Sequence, residues 1–151
     1  MIPAETRTAW DAAYRRAEYR VGLPQAELVL RVGQCDAADE KHLRDEAAIK
    51  SHWAIVTPCN PGSRRLSAEE NAHLLKQLME IVEGLGLAFA GCLNRDPSGQ
   101  WPDEPGILLC DPPPGFAEEL GRHFRQNAIL AGKLGEAPQL VWLVDQELVR
   151  G

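Results

Sequence analysis

The chain has 151 residues, 44% of them hydrophobic and 25% charged, with a formal net charge of −6. That length supports a single compact domain with a core of its own, and that balance excludes a disordered chain or a coiled coil. The acidic excess argues against nucleic acid, whose phosphates call for a clustered basic face, and no run approaches the roughly 20 apolar residues of a membrane span.

The opening "MIPAETRTAW" carries neither a basic leader region nor an apolar signal segment, so the cytoplasm is the expected location. Residues 4–19 place Trp10, Ala13, Tyr14 and Ala17 at helical spacing and predict a helix ended by Gly22 and Pro24. "AELVLRVG" alternates Leu28, Leu30 and Val32 against Glu27, Val29 and Arg31, the pattern of a strand with one face in the core. Residues 36–50 read as a surface helix whose inner contacts are Leu43 and Ala47. "HWAIVT", 52–57, is apolar on both faces and predicts an interior strand, which Pro58 and Pro61 stop.

Ser67 with Glu70 forms a capping box, so a helix begins there and runs to about Leu85. Its stripe is Asn71, Leu74, Leu75, Leu78, Ile81, Val82 and Leu85. "LAFAGCLN", 87–94, and "GILLC", 106–110, are two further strands around the turn-rich loop "RDPSGQWPDEP". A helix over 116–126 turns Phe116, Ala117, Leu120 and Phe124 inward, and "AILAG" and "QLVWLVD" close the chain as short strands. The irregular alternation predicts an α+β domain: a mixed sheet of about five or six strands covered by helices.

Cys35, Cys59, Cys92 and Cys110 are scattered without zinc-ligand spacing, and neither a metal nor a cofactor is expected. Cys92 and Cys110 lie in apolar runs as small core residues, whereas Cys35 and Cys59 stand at run ends where exposure is expected. No serine occupies a nucleophile elbow, and no histidine has a partner at catalytic spacing.

The corner "TPCNPGSRRLSAEEN", 57–71, leads a strand into a capped helix, an arrangement in which free amides face an anion. The hydroxyls of Thr57 and Ser63 and the guanidinium groups of Arg64 and Arg65 would add donors for a carboxylate or phosphate. Equally, Asn60 and Ser63 serve a tight turn by bonding backbone groups. Asn71 replaces an apolar residue in the inward stripe of the first helical turn, so its amide needs partners, and the loop beneath it supplies them. Gln126 and Asn127 either cap their helix or face the same pocket as Asn60. Trp101 and Glu104 either stack on and orient a ligand or plug the sheet edge.

In order and spacing, "AYRRAEY", "WAIVTPCNPGSRRLSAEEN", the helix ending "GLGL", "GCLNRDPSGQWPDEPGILL" and "GRHFRQNAIL" resemble the bacterial family known as domain of unknown function 3293, over nearly the whole chain. The family's corner pattern is matched by Thr57, Asn60, Pro61, Ser63 and Asn71, and its later Trp-Pro-Glu-Pro-Ser by Trp101, Pro102, Glu104 and Pro105. Here Asp103 is added, Gly106 replaces the serine, and Arg125 stands where the family has glycine before Gln126, Asn127 and Ala128. The resemblance implies that Asn60, Asn71, Trp101, Glu104, Gln126 and Asn127 belong to one recurrent set; it implies no reaction.

The leading expectation is non-catalytic binding of a small polar or anionic ligand at Thr57, Asn60, Ser63, Arg64 and Asn71, with Trp101, Glu104, Gln126 and Asn127. One alternative is a protein-interaction module or homo-oligomer in which these residues are structural. The other is a hydrolase-like enzyme using Cys59 or Glu104.

Overall fold

The structure, a computed structural model, describes residues 2–144, so Asp145 of the last expected strand lies outside it. Helix α1, Ala4–Arg16, stops three residues before the predicted end. Ala17 is extended at ψ 148°, and the chain enters an unforeseen strand, β1, Glu18–Gly22. Tyr19 and Val21 alternate into the core there, a period of two that the helical reading of Tyr14 and Ala17 had masked.

Strands β2, Glu27–Leu30, and β3, His52–Val56, flank helix α2, Ala37–Asp45, which Asp36 caps by accepting from the Ala38 and Asp39 amides. After β3 comes a single 3-10 turn, Pro61–Ser63, and then helix α3, Ala68–Gly84, with both halves of the Ser67–Glu70 capping box formed. Leu78 and Val82 of the α3 stripe are buried, but Leu85 is 60% exposed, because it follows the last helical turn and leaves the apolar face. The rest is strands β4, Phe89–Arg95, and β5, Glu104–Cys110, helix α4, Phe116–His123, and strands β6, Ala128–Lys133, and β7, Gln139–Trp142.

The α+β class stands, but the sheet is not mixed. Seven strands in the order β2-β1-β4-β5-β3-β6-β7 form one curled half-barrel in which each pairing is antiparallel. The strand missed at β1 accounts for the count. β3 lies inside the sheet between β5 and β6, as its two apolar faces require.

Both faces of the sheet are covered. Ala54, Val56, Ile107, Leu109 and Ile129 pack against Leu78 and Val82 of α3 and Ala117, Leu120 and Phe124 of α4. Each fully buried valine, leucine, isoleucine or phenylalanine among them contributes roughly 1.5–3 kcal/mol. On the opposite face Trp53, Ile55, Leu108 and Leu130 join Tyr19, Val21, Leu28 and Leu30 under Leu43 and Ile49. Helix α1 lies over the far end of this second face and has no buried residue. Its predicted stripe of Trp10, Ala13, Tyr14 and Ala17 points at a hollow instead of a packed layer.

Candidate functional site

That hollow has a volume of about 340 Å³. It sits at the low end of the roughly 300–1,000 Å³ of small-molecule sites. Its floor begins with three residues in one cross-strand row, because Tyr19 of β1 pairs with Asn94 of β4, and Asn94 with Glu104 of β5. Residues in one row of an antiparallel sheet point to the same side. Ile55, Ala128, Leu130 and Leu140 supply the apolar remainder, and α1 roofs it with Trp10 and Tyr14.

The corner after β3 forms one wall. Asn60 and Ser63 are left-handed at φ 49° and 61°, and Gly62 at φ 64°. Such a turn stores strain of order 1–3 kcal/mol at each residue with a side chain and persists only where its surroundings fix it. Asn71 is the fixing residue: its Oδ1 accepts from the Asn60 amide at 2.9 Å, and its Nδ2 donates to Asn60 Oδ1 at 2.9 Å. Asn60 Oδ1 also accepts from the Leu66 amide at 2.9 Å, and the Gly62 amide donates to Arg125 O at 2.8 Å. The polar member of the α3 stripe therefore ties loop to helix, as its position demanded.

Asn60 donates from its side-chain amide to Glu104, Nδ2 to Oε2 at 2.7 Å. No buried side-chain polar atom among the described residues is unpaired, and Glu104 lines the hollow with its Oε2 held by Asn60. Burial raises the Glu104 carboxyl above the ordinary glutamate range, partly opposed by hydrogen bonds from the Asn60 and Trp101 side chains. Glu104 is the first residue of β5 and not a loop residue, since the strand starts two positions before the apolar run.

Thr57 donates Oγ1 to Pro105 O at 2.8 Å and accepts from the Cys59 amide. Gln126 places both N–H groups on carbonyls, Cys59 O at 3.1 Å and Phe124 O at 3.2 Å. Gln126, like Glu104, lines the hollow. Asn127 Nδ2 donates to Ser63 Oγ at 2.7 Å and to Tyr14 Oη at 3.4 Å. Neither Gln126 nor Asn127 is the left-handed helix cap; the turn out of α4 is made by Arg125, at φ 55°. Burial raises the Tyr14 hydroxyl, against the hydrogen bonds with Asn127 and Ser63, and the charge of Glu104 raises it further.

Of the nine residues chosen from sequence, Thr57, Asn60, Ser63, Trp101, Glu104 and Gln126 line the hollow. Asn71 and Asn127 stand behind it and hold Asn60 and Ser63. Arg64 does not reach it: its side chain is exposed, while Arg65 turns back over the Trp101 ring at 4.9 Å and donates to Gln100 O. The corner amides offered to an anion are also engaged, with Ser63 N on Asn60 O, Gly62 N on Arg125 O and Glu70 N on the Ser67 hydroxyl.

The cations at the mouth are instead Arg16 and Arg95, beside Asp96. Sequence reading missed them, along with Tyr14, Tyr19 and Asn94. The signal for Tyr14 was its polar hydroxyl within an otherwise apolar helical stripe. Cys59, expected at the surface, is 1% exposed beneath the corner with its thiol on Pro105 O, and burial pushes that thiol up. No group of three or more potential metal ligands occurs among the described residues.

No curated protein and no solved structure matches the chain. The model of one family, described as "Protein of unknown function (DUF3293)", matches residues 56–129. That span runs from the end of β3 through the corner, α3, β4, β5 and α4, and leaves "AYRRAEY" outside it. It contains Thr57, Asn60, Ser63, Asn71, Trp101, Glu104, Gln126 and Asn127, so the chain belongs, by the segment that builds the corner wall, to the DUF3293 family of proteins of unknown function.

Proposed function

We propose that the protein binds a small polar molecule, without transforming it, in the hollow between α1 and the end of the sheet. One observation carries this reading: three stretches far apart in sequence, 57–63, 101–104 and 126, line one accessible cavity with polar side chains. The aromatic and apolar lining supplies affinity, and the few placed polar atoms supply orientation.

Binding fits this geometry better than bond breaking, because Cys59 is sealed away beneath the corner and Glu104 Oε2 is tied to the Asn60 amide. The cytoplasm is the setting we propose: all four cysteines are free, and no described helix is long and apolar enough to cross a membrane.

A fragment library screened by thermal shift tests the reading. Hits on the wild-type chain are expected to lose their stabilisation in Ser63→Ala and Glu104→Gln variants and keep it in Arg64→Ala. Hits that ignore the first two substitutions would place any binding elsewhere.

A further inference from the structure

We propose, building on the reading of the hollow as a binding site, that its ligand is a methylated ammonium carboxylate, held with its cationic head toward Glu104 and its acid toward the mouth. The inner end lacks a cation. Glu104 is half-buried on the wall of the hollow, and no lysine, arginine or histidine pairs with it among the described residues. Burial works against its charge, and two neutral donors, the Asn60 and Trp101 side chains, ease it. A carboxylate withdrawn from water without a counter-ion is the complement of a cation that arrives with the ligand.

Aromatic side chains share that space. Tyr19 stands in the same cross-strand row through Asn94, and its hydroxyl donates to Tyr14 O at 3.3 Å, which sets the last turn of α1 against the row. Burial raises the hydroxyls of Tyr14 and Tyr19, and the charge of Glu104 raises both further, so both stand within its field. Trp10, one helical turn before Tyr14, lines the hollow with them. Aromatic rings and an acid around one space suit a quaternary ammonium, which ring faces attract without hydrogen bonds. An ammonium with N–H groups would need acceptors, and the neighbouring ones are in use: Asn60 Oδ1 takes Leu66 N and Asn71 Nδ2, Thr57 Oγ1 takes Cys59 N, and Ser63 Oγ takes Asn127 Nδ2.

The mouth has the opposite sign. Arg16 and Arg95 are exposed there, and neither forms an ion pair among the described residues. Asp96, which lines the hollow too, is occupied by Ser98 and the Trp101 amide. From an acid inside to guanidinium groups outside, the hollow is complementary to a zwitterion that enters cation first.

Calorimetric titration of the full chain with four probes of nearly one shape tests this. Glycine betaine and 3,3-dimethylbutanoate share a carboxylate and differ in the head, a charged nitrogen against a neutral carbon. Choline and 3,3-dimethylbutan-1-ol repeat that pair with a hydroxyl in place of the acid. Betaine is expected to bind at least roughly tenfold more tightly than 3,3-dimethylbutanoate, the effect of desolvated cation–π contact. Choline should bind about two- to fivefold more weakly than betaine, the value of an exposed ion pair.

Trp10→Leu, on a helix with no buried residue, keeps an apolar wall and removes the ring. It should bring betaine down toward 3,3-dimethylbutanoate and leave that probe near its wild-type affinity, a split that a merely structural change would not produce. Glu104→Gln should do the same, and Arg95→Ala should narrow the lead of betaine over choline. Binding of 3,3-dimethylbutanoate by the wild type as tightly as betaine would overturn the assignment. So would no binding of any probe while unrelated fragments still occupy the hollow. An empty fragment screen would remove the binding reading itself.

Discussion

Asn60 and Glu104, 44 positions apart, are joined at 2.7 Å, and this bond couples the strained corner to the first residue of β5. Asn60 is the hub of that coupling. Its side chain bonds Glu104, Asn71 and the Leu66 amide, and its backbone is left-handed, a conformation that asparagine tolerates better than most residues. Asn60→Ala strands all three partners and retains the strain. A loss of about 2–4 kcal/mol in urea unfolding is expected, and a loss under 1 kcal/mol would contradict the hub role.

Glu104 gives a pH signature. Burial holds its proton in the folded chain, so the folded-state pKa lies above the unfolded one, which is near 4.3. For a carboxyl shifted upward, stability is lost as pH rises from the unfolded to the folded value, because the charged form is disfavoured inside. The groups that face it are Asn60 and Trp101, which ease the charge, and Tyr14, Tyr19 and Cys59, whose own hydroxyl or thiol ionisation its charge opposes; Arg16, Arg95 and Asp96 line the same hollow. Denaturation of wild type and Glu104→Gln from pH 4 to 7 should therefore show the wild type losing ground to the variant as pH rises. Parallel profiles would mean an ordinary, solvated carboxyl.

Arg125 stands at φ 55°, where the family resemblance expects glycine, and its carbonyl accepts the Gly62 amide. An arginine there bears a left-handed cost of roughly 1 kcal/mol that glycine lacks, less the extra entropy glycine loses on folding. Arg125→Gly is predicted to stabilise by a few tenths of a kcal/mol to about 1 kcal/mol in thermal unfolding. A destabilisation would show that the arginine side chain makes a contact of its own.

Gly106 has the opposite logic. A Cβ there would lie 2.4 Å from Val56 O and 3.0 Å from Thr57 Cα, both backbone atoms of the neighbouring strand, so it cannot be relieved by a rotamer change. Gly106→Ser, which restores the family's usual residue, should cost about 1–3 kcal/mol in this chain and disturb Thr57 at the edge of the hollow. Unchanged stability would mean that β3 and β5 separate here more easily than their packing implies.

The legible parts of the fold were those with a repeating apolar pattern or a local cap: β3, α3 with its Ser67–Glu70 box, and the inward face of α4. β1 was missed because Tyr14, Ala17 and Val21 also satisfy helical spacing over a short window. Sheet direction was out of reach, since antiparallel pairing is set by which strands meet, not by any strand's own pattern. At the site, Asn71 was readable because a polar residue in an apolar stripe must be bonded. The choice of Arg64 over Arg65, and the silence on Arg16 and Arg95, have one cause: a long cation's target depends on tertiary neighbours that composition does not contain. The α1 stripe is the sharpest lesson, because amphipathic spacing says which face turns inward but not whether protein or ligand fills the space beyond it.

The most direct measurement is a crystal structure of the full chain soaked with a mixed small-molecule cocktail. The binding account predicts a molecule lodged between Trp10 and Tyr14 of α1 and the Tyr19–Asn94–Glu104 row, in contact with the Glu104 carboxyl. A structure in which α1 packs flush on the sheet, with its aromatic rings filling the hollow and Glu104 bonded only to protein, would contradict it.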